Sequence, residues 1–201
     1  MQDNNIVTKK KKAEEVGFNK NSLLSDFLII IICCFAGVFC KKLINPYANL
    51  VTDALHVPGG ISTAISLMFL VIAAGVTGRK WSASLMGLMQ AGAALALGSV
   101  GSMGLLIPLA YIVPGVVIDI IMFIGKNISF SDRISAFAAN ILSSVSAALF
   151  ANIFVFHLPP KALTVYLLIA ALSGAVCGCL AGITIYSITK NEKKQDDSAN
   201  N

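Results

Sequence analysis

Six apolar stretches joined by short polar connections dominate this chain of 201 residues. The stretches are about 18 to 27 residues long, enough for a helix that rises 1.5 Å per residue to cross an apolar core of about 30 Å. Their positions are 27–44, 60–77, 82–100, 105–125, 134–157 and 163–189. Since 56% of the residues are hydrophobic and 12% are charged, little sequence remains for a soluble domain. We therefore predict an all-α polytopic membrane protein with six transmembrane helices.

Lys and Arg residues are unevenly shared between the two sides of this arrangement. Twelve of the fifteen lie on one side, and Lys41, Lys42 and Lys161 lie on the other. The side richer in Lys and Arg normally faces the cytoplasm, so we predict cytoplasmic termini and a multi-pass protein of the cell membrane. The predicted domains are a polar cytoplasmic tail over 1–26, a transmembrane domain over 27–189 and a second polar cytoplasmic tail over 190–201.

The residue types present argue against several functions. The net charge of +5 could suit nucleic acid, but the basic residues lie at helix ends and in tails without interleaved aromatics. Attraction to anionic lipid explains them better. The five Cys residues lie inside predicted spans with no His or acid near them in sequence, which fits neither a disulfide framework nor a metal site. Because Walker, Gly-x-Ser-x-Gly and His-Glu-x-x-His motifs are absent, we expect no enzymatic activity and no cofactor.

Polar side chains within the spans are candidates for ligand binding, since burying a polar group in hydrocarbon is costly unless it is hydrogen-bonded. The candidate substrate contacts are Tyr111, Asn140, Ser144, Gln90 and Asn152. For Asn140, helix packing and ligand contact explain the residue equally well. The hydroxyls of Ser62, Thr63 and Ser66 can return to their own helix, so these residues count little toward a site.

The connection over 45–60 is predicted to lie on the outer side. Pro46 is expected to end the first helix, and a short interfacial helix around 50–55 is plausible. Tyr47, Asn49 and His56 belong to this connection and could line an outward-facing pocket.

Asp119 is the only acid within a predicted span. It could pair with a basic or hydroxyl group for structural reasons, or it could contact a ligand or a proton. Lys126 follows by seven residues, nearly two turns, so it shares a face with Asp119 and is a candidate partner.

Small residues recur at every fourth position, the spacing that lets membrane helices approach closely. The final span has Gly174, Gly178 and Gly182, and the third span has Ala83, Gly87 and Ala91. In the first span, Cys33 pairs with Gly37 and Ala36 with Cys40 at the same spacing. Each stripe is either an intramolecular contact or a docking face for a partner helix.

The order of several motifs along residues 25–189 resembles the substrate-binding S components of energy-coupling factor (ECF) vitamin transporters. These motifs are VPGG at 57–60, GRKWSASLMGL at 78–88, YIVPGVVID at 111–119 and LSGAVCGCLAG at 172–182, followed by a Lys-rich tail. The basic turn with its small residues most resembles the YkoE-type branch, which is associated with thiamine or its hydroxymethylpyrimidine precursor.

The resemblance implies a small-molecule binder that works with a transmembrane T component and two ATPase subunits. The outer connection would then gate the pocket through Tyr47, Asn49 and His56. The small face of the first span would dock the T component through Cys33, Ala36, Gly37 and Cys40. The leading hypothesis is an S component that captures a vitamin or similar micronutrient from outside. The alternatives are a membrane scaffold or assembly factor without transport, and an autonomous proton-coupled carrier that uses Asp119.

Overall fold

The computed structural model describes residues 20–54, 61–98, 104, 106–128 and 130–199. This part of the chain is all-α, which confirms the predicted fold class. Its six α-helices are α1 (Lys20–Ala54), α2 (Ile61–Thr77), α3 (Ser82–Ala96), α4 (Ile107–Asn127), α5 (Asp132–Ala151) and α6 (Pro160–Ala199). A π-helical turn, Asn152–Phe156, continues α5.

Four of the helices are long enough and apolar enough to cross a membrane, as expected for a membrane protein. The apolar stretches are Leu24–Leu50, Ile107–Asn127, Asp132–Phe156 and Pro160–Asn191. The helices α2 and α3 are also apolar but have only 17 and 15 residues. At 1.5 Å per residue they reach about 25 and 22 Å, somewhat less than a typical apolar core. The third helix, predicted over 82–100, ends earlier than expected, at Ala96.

The central element of the bundle is α2, which contacts each of the other five helices. It has no charged residue, and nine of its 17 residues, two of them serines, are buried. Leu67, Leu70 and Val71 are almost fully enclosed by residues from the surrounding helices. A mainly apolar helix without a charged face is typical of such a central position.

The expected break at Pro46 is wrong, because α1 continues through this proline to Ala54. Proline removes one backbone donor, but the helix is packed against the bundle on both sides of it. The Ser62 hydroxyl donates to Asn45 Oδ1 at 3.0 Å, and Ala48 and Thr52 are buried. The connection predicted to lie on the outer side is thus helical up to Ala54, and residues 55–60 lie outside the described residues.

The connection over 78–81 meets the end of α4 at one end of the bundle, called the basic end below. Gly78 follows α2 with φ +62°, and Trp81 precedes α3 with φ 69°, so both residues are in the left-handed region. The Lys126 Nζ atom donates to the Gly78 carbonyl oxygen at 2.7 Å, which joins the end of α4 to this turn. Residues 78–81 therefore form a tight turn between α2 and α3.

The glycine stripe of α6 packs directly on the backbone of α5. A Cβ atom at Gly174, Gly178 or Gly182 would lie 3.0 Å from backbone atoms of Ile141, Phe137 or Arg133 respectively. The stripe of α3 packs in the same way on α4, since a Cβ at Gly87 would lie 2.6 Å from the Tyr111 carbonyl oxygen. These two stripes are intramolecular contacts.

Candidate functional site

Asn140 and Ser144 lie one turn apart on α5, where it packs against α6. Asn140 Nδ2 donates to the Gly174 carbonyl oxygen at 2.9 Å. The side chains are 0% and 3% exposed. Asn140 Oδ1 and Ser144 Oγ have no hydrogen-bond partner among the described residues. Helix packing thus explains only the amide nitrogen of Asn140, and an acceptor and a hydroxyl remain open in the interior.

Gln90 occupies an equally buried position between α3, α2 and α1. The Ser66 hydroxyl donates to its Oε1 atom at 3.0 Å, whereas its Nε2 atom has no partner in the described part of the chain. A Cβ at Gly37 of α1 would lie 2.5 Å from that nitrogen. The glycine therefore makes room for the Gln90 carboxamide.

Tyr111 reaches the same stretch of α1 from α4. Lys41 Nζ donates to the Tyr111 hydroxyl at 2.9 Å and lies 4.8 Å from the ring centroid. Because Lys41 follows Gly37 by one turn, Gln90 and Tyr111 contact neighbouring turns of α1. The structure thus groups four candidates into two pairs. Gln90 of α3 and Tyr111 of α4 both contact α1, and Asn140 and Ser144 both belong to α5. No hydrogen bond among the described residues joins the two pairs.

The fifth candidate, Asn152, stabilises the turn between α5 and α6. Its Oδ1 atom accepts a hydrogen bond from the Leu158 backbone nitrogen at 2.8 Å. Its backbone oxygen accepts one from His157, whose φ of 48° is in the left-handed region. The side-chain oxygen is therefore occupied by a structural contact, and the Nδ2 atom is the group left to meet a ligand.

Of the residues predicted to gate the pocket, Tyr47 and Asn49 lie on α1 and His56 lies outside the described residues. The Tyr47 side chain is 72% exposed, and the Asn49 carbonyl oxygen accepts a hydrogen bond from Thr52. Both belong to a helix rather than to the loop that the sequence suggested. Any movement here would involve the last turns of α1, and the gating role remains a prediction.

The predicted docking face of α1 is turned partly inward. Gly37 is buried against Gln90 and Phe69, and Cys33, Ala36 and Cys40 are half-buried. The most exposed face of α1 is instead bulky and apolar, with Ile32, Phe35, Phe39 and Leu43. A role of the small residues in docking remains a prediction.

Asp119 has structural partners, one of which is a hydroxyl group, as the sequence allowed. Its carboxylate accepts hydrogen bonds from the backbone nitrogens of Ala83 at 3.1 Å and Ser84 at 2.8 Å. It also accepts one from the Ser84 hydroxyl at 2.6 Å. Trp81, at the N-cap of α3, makes no side-chain cap, so a carboxylate from α4 caps this helix instead. The suggested pairing with Lys126 is not observed, because Lys126 contacts Gly78.

A cavity of about 350 Å³ opens at the basic end. The α2–α3 turn and one face of α4 form most of its wall, and none of the five candidate substrate contacts lines it. The lining residues are Ala74, Gly78, Arg79, Lys80, Trp81, Asp119, Ile120, Met122, Phe123 and Lys126.

Two residues discounted from the sequence make contacts between helices. Ser62 donates to Asn45 on α1, and Ser66 donates to Gln90 on α3, so neither hydroxyl returns to its own helix as expected. Their spacing of four residues, which places both on one face of α2, is the signal that could have identified them. Within the described residues, no group of three His, Cys, Asp or Glu side chains could hold a metal ion.

Comparisons with models of protein families, with characterised proteins and with solved structures gave no match for this chain. The functional conclusions therefore depend on the residues and their geometry.

Proposed function

We propose that this chain is the membrane-embedded S component of an ECF-type transporter, with six spans and both termini in the cytoplasm. It captures a vitamin-like small molecule from outside the cell, and a T component and two ATPase subunits drive uptake. The order of motifs in the sequence supports this role. So do the six apolar helices, four of them long enough to cross a membrane.

The main support is a set of polar atoms in the interior of the bundle that have no hydrogen-bond partner among the described residues: Gln90 Nε2, Asn140 Oδ1 and Ser144 Oγ. Leaving one buried polar group unpaired costs about 1–3 kcal/mol, so each such group in a native protein calls for an explanation. All three belong to residues that the sequence selects as substrate contacts. A bound ligand that hydrogen-bonds to them would remove this cost.

The chemistry of these atoms defines the kind of ligand. The amide nitrogen of Gln90 donates, the amide oxygen of Asn140 accepts, and the Ser144 hydroxyl does either. A heterocycle with ring nitrogens and an exocyclic amine offers both complementary groups. Because Lys41 places a positive charge beside Tyr111, a neutral pyrimidine fits this pair better than a cationic thiazolium. We therefore propose hydroxymethylpyrimidine, rather than thiamine, as the first ligand to test.

Two neighbouring serines provide a matched test of this site. Ser143 and Ser144 are both buried, but the Ser143 hydroxyl already donates to the Asn140 carbonyl oxygen at 3.1 Å. Ser144→Ala should weaken binding of the pyrimidine to the purified chain by roughly tenfold, the loss of one hydrogen bond of about 1.4 kcal/mol. Ser143→Ala should leave affinity unchanged. Isothermal titration calorimetry in detergent measures both.

The other outcomes assign the chain to another class. If neither compound binds, none co-purifies by mass spectrometry and no ATPase is recovered with the chain, the proposal fails. If Ser144→Ala and Asn140→Ala change only stability or association, and never ligand affinity, the result would indicate a scaffold. Uptake by the chain alone in liposomes, abolished by Asp119→Asn, would indicate a proton-coupled carrier.

A further inference from the structure

The cavity at the basic end has a wall of mixed chemistry. Ile120 and Phe123 of α4 are 49% and 48% exposed on its apolar side. Lys80 and Lys126 are exposed at its charged side, where the turn from α2 to α3 meets the end of α4. A space bounded by lipid-facing apolar side chains and by cations suits a molecule that has both an acyl chain and an anionic group.

The two lysines differ from the other charged groups of this cavity. Asp26 pairs with Arg79 at 2.5 Å, and this is the only ion pair among the described residues. Lys80 Nζ lies 5.4 Å from the Phe123 ring centroid, and Lys126 Nζ donates to the Gly78 carbonyl oxygen. Both ammonium groups thus keep hydrogen-bond donors available without a carboxylate of their own in the described part of the protein.

Asp119 also lines the cavity, but its charge is compensated. The carboxylate receives three hydrogen bonds from the first turn of α3, where the helix dipole is positive. The N-terminus of α3 is therefore occupied, and an incoming anion would meet the lysine side chains rather than the helix end. Because Arg79 is paired with Asp26, the lining offers two cations without a carboxylate partner, Lys80 and Lys126, against one compensated anion, and this balance favours an anionic ligand.

We propose that this cavity binds a phosphate ester, the headgroup of an anionic phospholipid of the cytoplasmic leaflet, with Lys80 and Lys126 as its cationic ligands. Basic pockets between membrane helices on the cytoplasmic side are suited to such headgroups. The acyl chain would lie along Ile120 and Phe123. The proposal rests on the orientation given under the proposed function but not on vitamin binding, so the two can fail separately.

The test compares lipid binding to the full chain and to a double variant. Delipidated protein in detergent is titrated with phosphatidylglycerol or phosphatidylcholine and analysed by native mass spectrometry. Each removed lysine should weaken phosphatidylglycerol binding roughly fivefold, so K80Q/K126Q should show a loss of roughly 25-fold. The control K161Q/K190Q removes two exposed lysines outside the cavity and should bind as the wild type does. The charge-retaining K80R/K126R should also bind, which separates loss of charge from loss of structure.

A second arm distinguishes the source of the phosphate ester. Calorimetry with glycerol 3-phosphate should show no binding if the acyl chain contributes, which assigns the site to lipid. Binding of that soluble ester with the same dependence on Lys80 and Lys126 would support the site and assign it to a soluble ligand. The proposal is overturned if phosphatidylcholine binds as well as phosphatidylglycerol. Equal loss in K80Q/K126Q and in the control, or no loss in either, would also overturn it.

Discussion

The contact between α5 and α6 differs sharply from the contacts of α1 with the rest of the bundle. On α6, three glycines meet the backbone of α5 along three successive turns. On α1, one buried glycine, Gly37, meets the end of the Gln90 side chain. In the most apolar stretch of α1, 17% of the residues are buried, whereas 39% are buried in the corresponding stretch of α5 and its π-helical turn.

The difference teaches where this bundle is rigid and where it can adapt. Backbone atoms cannot move aside without shifting a whole helix, whereas the end of a side chain can change rotamer. Each region carries one pair of candidate ligand contacts. We therefore expect the Asn140–Ser144 pair to be fixed in position and the Gln90–Tyr111 pair to adjust when α1 moves.

The largest expected effect tests the rigid region. Gly178→Leu should destabilise the protein by at least about 3 kcal/mol, because its Cβ would lie 3.0 Å from the Phe137 Cα atom and the helices would have to separate. Thermal unfolding followed by circular dichroism measures the loss. Gly92→Leu is the matched control, since apart from the adjoining backbone of its own helix no atom of the described residues lies within 4 Å of a Cβ at Gly92. Similar losses in both variants would contradict the contrast.

The next effect extends the comparison to α3 and α4. Asp119→Ala should cost about 1–3 kcal/mol, because three donors at the start of α3 lose their acceptor. Asp132→Ala, an exposed acid in the first turn of α5, is the control and should change stability much less. A stable Asp119→Ala protein would show that this cap contributes little.

A smaller effect is expected for the adaptable region. Gly37→Ala should cost about 0.5–1.5 kcal/mol, because only the Gln90 side chain has to leave its preferred rotamer. Ligand affinity should fall more clearly than stability, since Gln90 Nε2 is displaced. Calorimetry and thermal unfolding of the same sample separate the two. A loss of stability as large as that of Gly178→Leu would show that α1 is as rigidly held as α6.

The smallest effect concerns the attachment of α1 at the basic end. Asp26→Asn should cost about 1 kcal/mol, because the pair is partly exposed, with Arg79 at 36% and Asp26 at 18%, and solvent screens such pairs. Unfolding at low and high salt should show that the difference in stability between the wild type and the variant becomes smaller as salt rises. A cost of several kcal/mol would mean that α1 is anchored at this end.

The sequence predicted the fold class and the close helix contacts, because both depend on local patterns. Gly174, Gly178 and Gly182 share one helical face, so a close contact followed from spacing alone. The spacing did not predict whether the partner was α5 or another protein, because either partner requires the same stripe. The distribution of Lys and Arg likewise predicted that the two basic connections share a side, but not that Lys126 reaches Gly78.

Other features depend on how distant segments pack. The helix continues through Pro46, where Asn45 accepts a hydrogen bond from Ser62 of α2 and Ala48 and Thr52 are buried, and local residue preferences do not contain such packing. The partners of Asp119 lie 35 and 36 residues earlier, on a different helix, and only the register of α3 against α4 brings them together. Gln90, Asn140 and Ser144 could be selected as polar residues, but their unpartnered atoms became evident only from the positions of their neighbours.

Trp81, the single tryptophan of the chain, stands 63% exposed at the wall of the cavity. Its intrinsic fluorescence therefore reports on one place in the molecule without any label. A brominated acyl chain within reach of the indole would quench this emission, whereas a change at the distant end of the bundle would alter it only if α2 or α3 moved. Trp81 is thus an intrinsic fluorescent probe of the turn between α2 and α3.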